Sequence, residues 1–125
     1  MQEKNEIKLE QQGETIIMHI RGDVTSFSEI PLKDAYQKVL DQKARKIILN
    51  FDKDAYINSG GIALLIQMMY QMRENKQSAA IAGISEHFKK IFNMVGITKF
   101  ANIFDTVENA LEDLGGGVYW RKVKG

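Results

Sequence analysis

The stretch Asn58-Ser59-Gly60-Gly61 carries the group best placed for regulated chemistry. The hydroxyl of Ser59 follows a nearly continuous apolar run, Lys46 to Phe51, and a polar connection, Asp52 to Asn58. It precedes a long apolar run beginning at Ile62. That order places Ser59 between a buried strand and a helix, at the carboxyl end of the strand, where open α/β sheets gather their sites. A helix start also tolerates anions, because its free N–H groups and its dipole face outward. Two compatible readings follow for Ser59. It suits the N-cap of the helix, since serine is a preferred capping residue. It also suits a phosphate acceptor, a modification that would add about −1.5 to −2 charges at a point the helix dipole favours. Gly60 and Gly61 keep the first turn bare and let another backbone approach closely.

Other reactive groups are less well placed. Asp52 follows the apolar run as the phospho-accepting aspartate does in a response-regulator receiver. A receiver also needs an acidic pair after its first strand and a lysine after its last. Here Gln11, Gln12 and Gly13 follow the first strand, and Asp105 and Thr106 follow Phe104. Asp52 and Asp54 therefore read as solvated loop acids. His19 falls mid-strand and reads as packed or half-buried. His87 falls in the first turn of a helix and reads as solvent-facing. The two histidines are too far apart in sequence to suggest a zinc site, and no Ser/His/Asp spacing suggests a nucleophilic triad. Gly115-Gly116-Gly117 lacks the preceding strand and following helix of a phosphate loop.

The elements that hold these residues are legible from periodicity. Ile7 to Glu10 and Thr15 to Arg21 read as two strands joined at Gly13-Glu14. Leu32, Ala35, Tyr36, Val39 and Leu40 recur at helical spacing between Ser28, a candidate cap, and Gln42, with Pro31 in the first turn. Lys46 to Phe51 fits a central strand buried on both faces. The helix opening at Ser59 runs to about Lys76. Ile62, Leu65, Ile66, Met69 and Met72 form its sheet-facing stripe. Leu64 and Met68 lie on another side, either under a neighbouring helix or as a docking patch beside Ser59. A short strand at Ala79 to Ala82, a helix over Ser85 to Val95 ending at Gly96, and a short strand at Ile103-Phe104 follow. The last helix starts at a cap on Asp105 or Thr106 and stops at Gly115. Strands alternating with helices after an opening hairpin predict an α/β fold. Its sheet is mixed but mostly parallel, with about four helices packed on it.

Composition narrows the function. The chain has 125 residues, one domain's worth, with 44% hydrophobic and 26% charged residues, as in ordinary globular proteins. No cysteine is present, which excludes a disulfide framework, a thiolate metal site and a cysteine nucleophile. No cofactor is expected. The net charge of +1 argues against a nucleic-acid footprint. That total is uneven. Arg121, Lys122 and Lys124 sit in a tail without acids, so residues 1–114 carry −2. The expected division is a domain over 1–114 and a Gly-rich linker with a short basic tail over 115–125. No apolar run approaches the length of a membrane span, and MQEKNEIKLE lacks a signal-peptide core, so a cytoplasmic address and no membrane insertion are expected.

Three segments together resemble the STAS domain, the anti-sigma factor antagonist family. They are HIRGDV (19–24), IILNFDKDAYINSGGIALLI (47–66) and FKKIFNMVGITKFANIFDTVENAL (88–111). The resemblance covers about residues 5–114. It implies a small regulatory module without catalysis of its own. Such a module binds an anti-sigma factor that is also a serine kinase of the histidine-kinase-like ATPase fold. The kinase phosphorylates a serine at the start of the second helix and the complex dissociates; a serine phosphatase resets it. The acceptor of the family motif Asp-Ser-(Ser/Thr)-Gly maps to Ser59, and its glycine to Gly61. Asn58 stands where the family has an acid, and Gly60 where it has a second hydroxyl. Thr25 stands where many members have an acid, just beyond the glycine-acid turn at Gly22-Asp23. The partner surface implied is Asp23, Asn58, Gly60, Gly61, Leu64 and Met68. The departures at Asn58 and Gly60 leave a second expectation open: an unphosphorylated STAS scaffold subunit inside a larger signalling or transport assembly.

Overall fold

The computed structural model describes residues 5–116. The basic tail from 117 onward lies outside the described residues, so the expected linker-and-tail division is not visible in the fold. Five strands form: β1 (Glu6–Gln12), β2 (Thr15–Arg21), β3 (Lys46–Phe51), β4 (Ser78–Ala82) and β5 (Ala101–Phe104). Four α-helices accompany them: α1 (Glu29–Asp41), α2 (Ser59–Glu74), α3 (Glu86–Met94) and α4 (Val107–Leu111). The expected α/β architecture is the one observed. The sheet order is β1-β2-β3-β4-β5, with the β1–β2 hairpin antiparallel and every other pair parallel.

This sequential order fixes where the helices lie. Each parallel crossover is right-handed by strong preference, and each steps the sheet in the same direction. Successive helices α1, α2 and α3 therefore land on one face. Strand alternation supplies that face with Ile16, Met18, Ile20, Ile47, Leu49, Phe51 and Ile81, packed against Leu32, Tyr36 and Val39 of α1, Leu65, Met69 and Met72 of α2, and Phe88 and Phe92 of α3. The opposite residues, Ile17, Ile48, Ala80 and Ala82, form a second, smaller core beneath Ala110 and Leu114. β3 contributes to both cores, which is why its sequence is apolar at nearly every position.

Several boundaries differ from expectation by a residue or two, as at Ser78 of β4, Ala101 of β5 and Glu74 of α2, and three differences have a clear local reason. β1 extends to Gln12 because it pairs with β2 along its whole length, from Glu6↔Arg21 to Gln12↔Thr15. Ser28 stands at the N-cap position of α1, as expected, but makes no side-chain cap hydrogen bond. It ends a 3₁₀ turn, Ser26–Ser28, and its Oγ turns back to accept the Thr25 N–H at 3.0 Å. Gly115 does not stop the last helix. A π turn over Glu112–Gly116 continues the coil and carries Leu114 into the second core. At the start of α4 the cap is Thr106, whose Oγ1 accepts the Asn109 N–H at 3.1 Å.

Candidate functional site

Two loops meet at the start of α2. The β2–α1 loop and the β3–α2 loop are zipped by a parallel bridge between Val24 and Ile57. Val24 N–H donates to the Tyr56 carbonyl at 2.9 Å, and Asn58 N–H donates to the Val24 carbonyl at 3.1 Å. Asp23 adds a side-chain strut, accepting the Tyr56 N–H at 2.9 Å. Asp52 performs the matching task, accepting the Gly22 N–H at 3.0 Å, where Gly22 turns the chain with φ +86°. Asp52 is thus bound into the loop framework. Among the described residues no cluster of three or more His, Cys, Asp or Glu stands ready for a metal ion.

This zipper accounts for the glycine pair. A Cβ on Gly61 would collide with the Val24 carbonyl, so the first turn of α2 can pass the neighbouring loop only if this position is bare. At Gly60 a Cβ would stand 3.0 Å from Ser26 Cβ and 3.1 Å from Ser26 N. The 3₁₀ turn lies against that position, held by a capping box in which Thr25 Oγ1 accepts the Phe27 N–H at 3.1 Å and Ser28 Oγ accepts the Thr25 N–H. Ser26 thus occupies the space a larger side chain at Gly60 would enter.

The capping role falls to Asn58. Its backbone is extended, with φ −90° and ψ 179°, and its Oδ1 accepts the Gly61 N–H at 2.8 Å. Ser59 is the first helical residue, exposed, with no side-chain hydrogen bond among the described residues. The N-cap reading of Ser59 is thereby corrected. Asparagine and serine are about equally good caps, and the sequence Asn-Ser offers both.

Leu64 and Met68 lie in the groove between α2 and α1, beside Leu32 and Tyr36. Met68 is buried at 6% exposure and Leu64 is half-buried. The exposed-patch alternative for these two gives way to the covered one, because α1 packs over that side of α2. The apolar surface actually presented near Ser59 is different. Phe27 (65% exposed), Ile30 (72%) and Tyr56 (59%) project from the two zipped loops and the start of α1. Tyr56 also leans edge-on against Phe88 of α3, centroids 6.0 Å apart. In the sequence these residues carry one signal: each is apolar in a polar segment and off any helical or strand stripe.

The remaining candidates have structural partners. His87 is exposed and stacks edge-on with Phe88. His19 is half-buried on the opposite sheet face, between Glu10 and Asn50. Lys89 links α3 to Asp105 after β5 and also reaches Glu86. The hydrogen bond to Asp105, then that to Glu86, raises the Lys89 ammonium above the ordinary lysine value, and Lys89 in turn holds the Asp105 carboxyl low.

Fold and site together define a small α/β module that displays one unencumbered hydroxyl at a helix start, rimmed by exposed apolar side chains. A model of the STAS domain matches residues 6–110, and the chain belongs to that family. Solved structures agree on the fold. An anti-sigma factor antagonist from Mycobacterium paratuberculosis superimposes with a TM-score of 0.74 at 12% identity, covering 87% of this chain and 92% of that one. The unphosphorylated anti-sigma factor antagonist SpoIIAA gives 0.69 at 18% identity, covering 89% and 97%. The Bacillus cell fate determinant SpoIIAA in its phosphorylated form gives 0.62 at 18% identity, covering 87% and 99%.

Proposed function

We propose that this protein is an anti-sigma factor antagonist, a non-enzymatic cytoplasmic module that docks on an anti-sigma factor and is released when Ser59 is phosphorylated. The observation that carries this reading is the division of labour at the start of α2. Asn58 makes the cap hydrogen bond, so the Ser59 hydroxyl is exposed and has no structural duty. A kinase can use it without unwinding the helix. The γ-phosphoryl group of ATP passes to Ser59 Oγ, the β–γ bridging bond breaks, ADP leaves, and the hydroxyl proton goes to the kinase's base.

The partner reading follows from the same surface. Phe27, Ile30 and Tyr56 supply exposed anchors, with Asp23 and the bare Gly60-Gly61 turn beside them. The partner is an anti-sigma factor with serine-kinase activity and a histidine-kinase-like ATPase fold; a serine phosphatase restores the hydroxyl. A phosphate among these anchors opposes docking, because its charge must be desolvated against apolar side chains. Leu64 contributes only its half-buried edge, and Met68 acts by packing α2 against α1.

The test is to incubate the protein with ATP and the anti-sigma kinase encoded nearby, then to map phosphopeptides. One phosphate on Ser59, absent in Ser59→Ala, is expected, with Ser59→Asp binding that kinase at least about tenfold more weakly than wild type. No added phosphate, or equal binding by Ser59→Asp, overturns the switch. Asn58 and Gly60 favour a second reading, a permanent scaffold subunit, which predicts association indifferent to ATP.

A further inference from the structure

Among the described residues the second sheet face is only half covered: α4 lies over β3, β4 and β5, and no described helix packs on the β1–β2 side. There a basin of about 240 Å³ is lined by Lys8 of β1, His19, Ile20 and Arg21 of β2, and Asn50 and Asp52 at the end of β3. Strand register explains the convergence: Lys8 pairs with His19 and His19 with Asn50, so three strands present polar groups in one row.

Some of these groups are committed. His19 Nε2 lies 2.8 Å from Glu10 Oε1, and His19 Nδ1 lies 3.0 Å from Asn50 Nδ2. With both ring nitrogens engaged, His19 and Asn50 form a fixed wall. Other groups are free. Asp52 gives Oδ2 to the Gly22 N–H, and its Oδ1 accepts nothing among the described residues. Arg21 makes no ion pair among the described residues. Glu6 stands opposite it in register, but the Glu6 carboxylate lies 4.0 Å from the Lys8 ammonium. The basin therefore offers a guanidinium fork, an ammonium shared with Glu6, and one carboxylate oxygen.

We propose that this basin binds a protonated phosphate group. Arg21 grips two phosphate oxygens with its fork and Lys8 adds a point charge. Asp52 would repel a bare oxyanion, yet it accepts a hydrogen bond from an anion that still carries a P–OH. Hydrogen phosphate has that proton near neutral pH and sulfate does not. The carboxylate is thus a selectivity device as well as a loop strut.

The test is an amide-resolved NMR titration of the full chain near neutral pH at constant ionic strength. The probes are inorganic phosphate, glycerol 3-phosphate and sulfate. Saturable shifts are expected at Lys8, Arg21, Gly22 and Asp52, with sulfate about tenfold weaker, the equivalent of one charge-assisted hydrogen bond. Glycerol 3-phosphate, mostly a dianion without a P–OH near neutral pH, should bind more weakly than free phosphate and gain on it as the pH falls toward about 6; tighter binding of the monoester at neutral pH overturns the proposal. Arg21→Ala, whose own spectrum reports that it is folded, is expected to lose the shifts. Asp52→Asn keeps an acceptor for Gly22 and turns a donor to the basin, so its phosphate and sulfate affinities should become equal within about twofold. Equal affinities in the wild type, shifts that persist in Arg21→Ala, or no saturable shift at millimolar phosphate overturn the proposal.

Discussion

Asn58 holds the amide of Gly61, and that single hydrogen bond decides what Ser59 is free to do. Asn58→Ala should destabilise the protein by about 1 kcal/mol in urea unfolding, the usual cost of a lost cap. Ser59→Ala should stay within about 0.5 kcal/mol of wild type, as an exposed residue without a partner does. If Ser59→Ala were the costlier of the two, the cap assignment would be reversed. Asn58→Asp should gain a few tenths of a kcal/mol, about 0.3–1, because a carboxylate at a helix start favours the dipole. Gly61→Ala meets the Val24 carbonyl and should cost about 1–3 kcal/mol, the range for forced overpacking. Gly60→Ser meets a movable side chain as well as backbone at Ser26, so its cost should be the smaller.

At the scale of elements, α2 serves two purposes with different sides. Its lower side carries Leu65, Met69 and Met72 into the main core, and α1 closes over Met68. Met68→Ala should therefore cost about 2–5 kcal/mol, as buried truncations do. Ile30, exposed at the start of α1, should leave stability within about 0.5 kcal/mol when changed to Ala, while weakening the kinase complex. α3 is tied to the β5–α4 connection by Lys89 and Asp105. The Asp105 carboxyl is held below its usual value, chiefly by the Lys89 hydrogen bond. Its contribution to stability is therefore present above the ordinary carboxylate range and is lost as pH falls through its folded value. Asp105→Asn should unfold at lower urea than wild type at neutral pH, and the gap should close in acid. A gap that widened in acid would contradict this assignment.

For the whole molecule, the two cores end at Leu114, which is buried in the second one. On the expected division, with a Gly-rich linker and short basic tail over 115–125, residues 117–125 lie outside the domain. Removing 117–125 should leave the melting temperature unchanged within about 2 °C, the equivalent of less than 0.5 kcal/mol for a domain of this size. A larger fall would show that the tail belongs to the domain. The body at −2 also gives one phosphate weight, since about −1.5 to −2 added charges roughly double the net negative charge of residues 1–114. Kinase binding by the unphosphorylated form should depend on apolar burial and so respond less to salt than to Phe27→Ala or Tyr56→Ala.

Periodicity alone revealed the order of elements, the apolar β3 and the helix start at Ser59. These depend on short-range rules: alternation of two in strands, 3.6 in helices, and caps at their ends. The bounds of β2 and β3 were legible to the residue, since each is a dense apolar run between turns. The cap was not, because Asn58 and Ser59 have nearly equal capping energies and only the backbone angles separate them. The burial of Met68 was not legible either. Its apolar character suits both a partner and a neighbouring helix, and the choice rests on which side of the sheet α1 packs. The anchors Phe27, Ile30 and Tyr56, like the Gly61–Val24 contact and the open basin at Arg21, arise where segments about thirty residues apart meet. Such meetings depend on the handedness and order of the crossovers, which act on the whole chain and leave no mark in any single window of it.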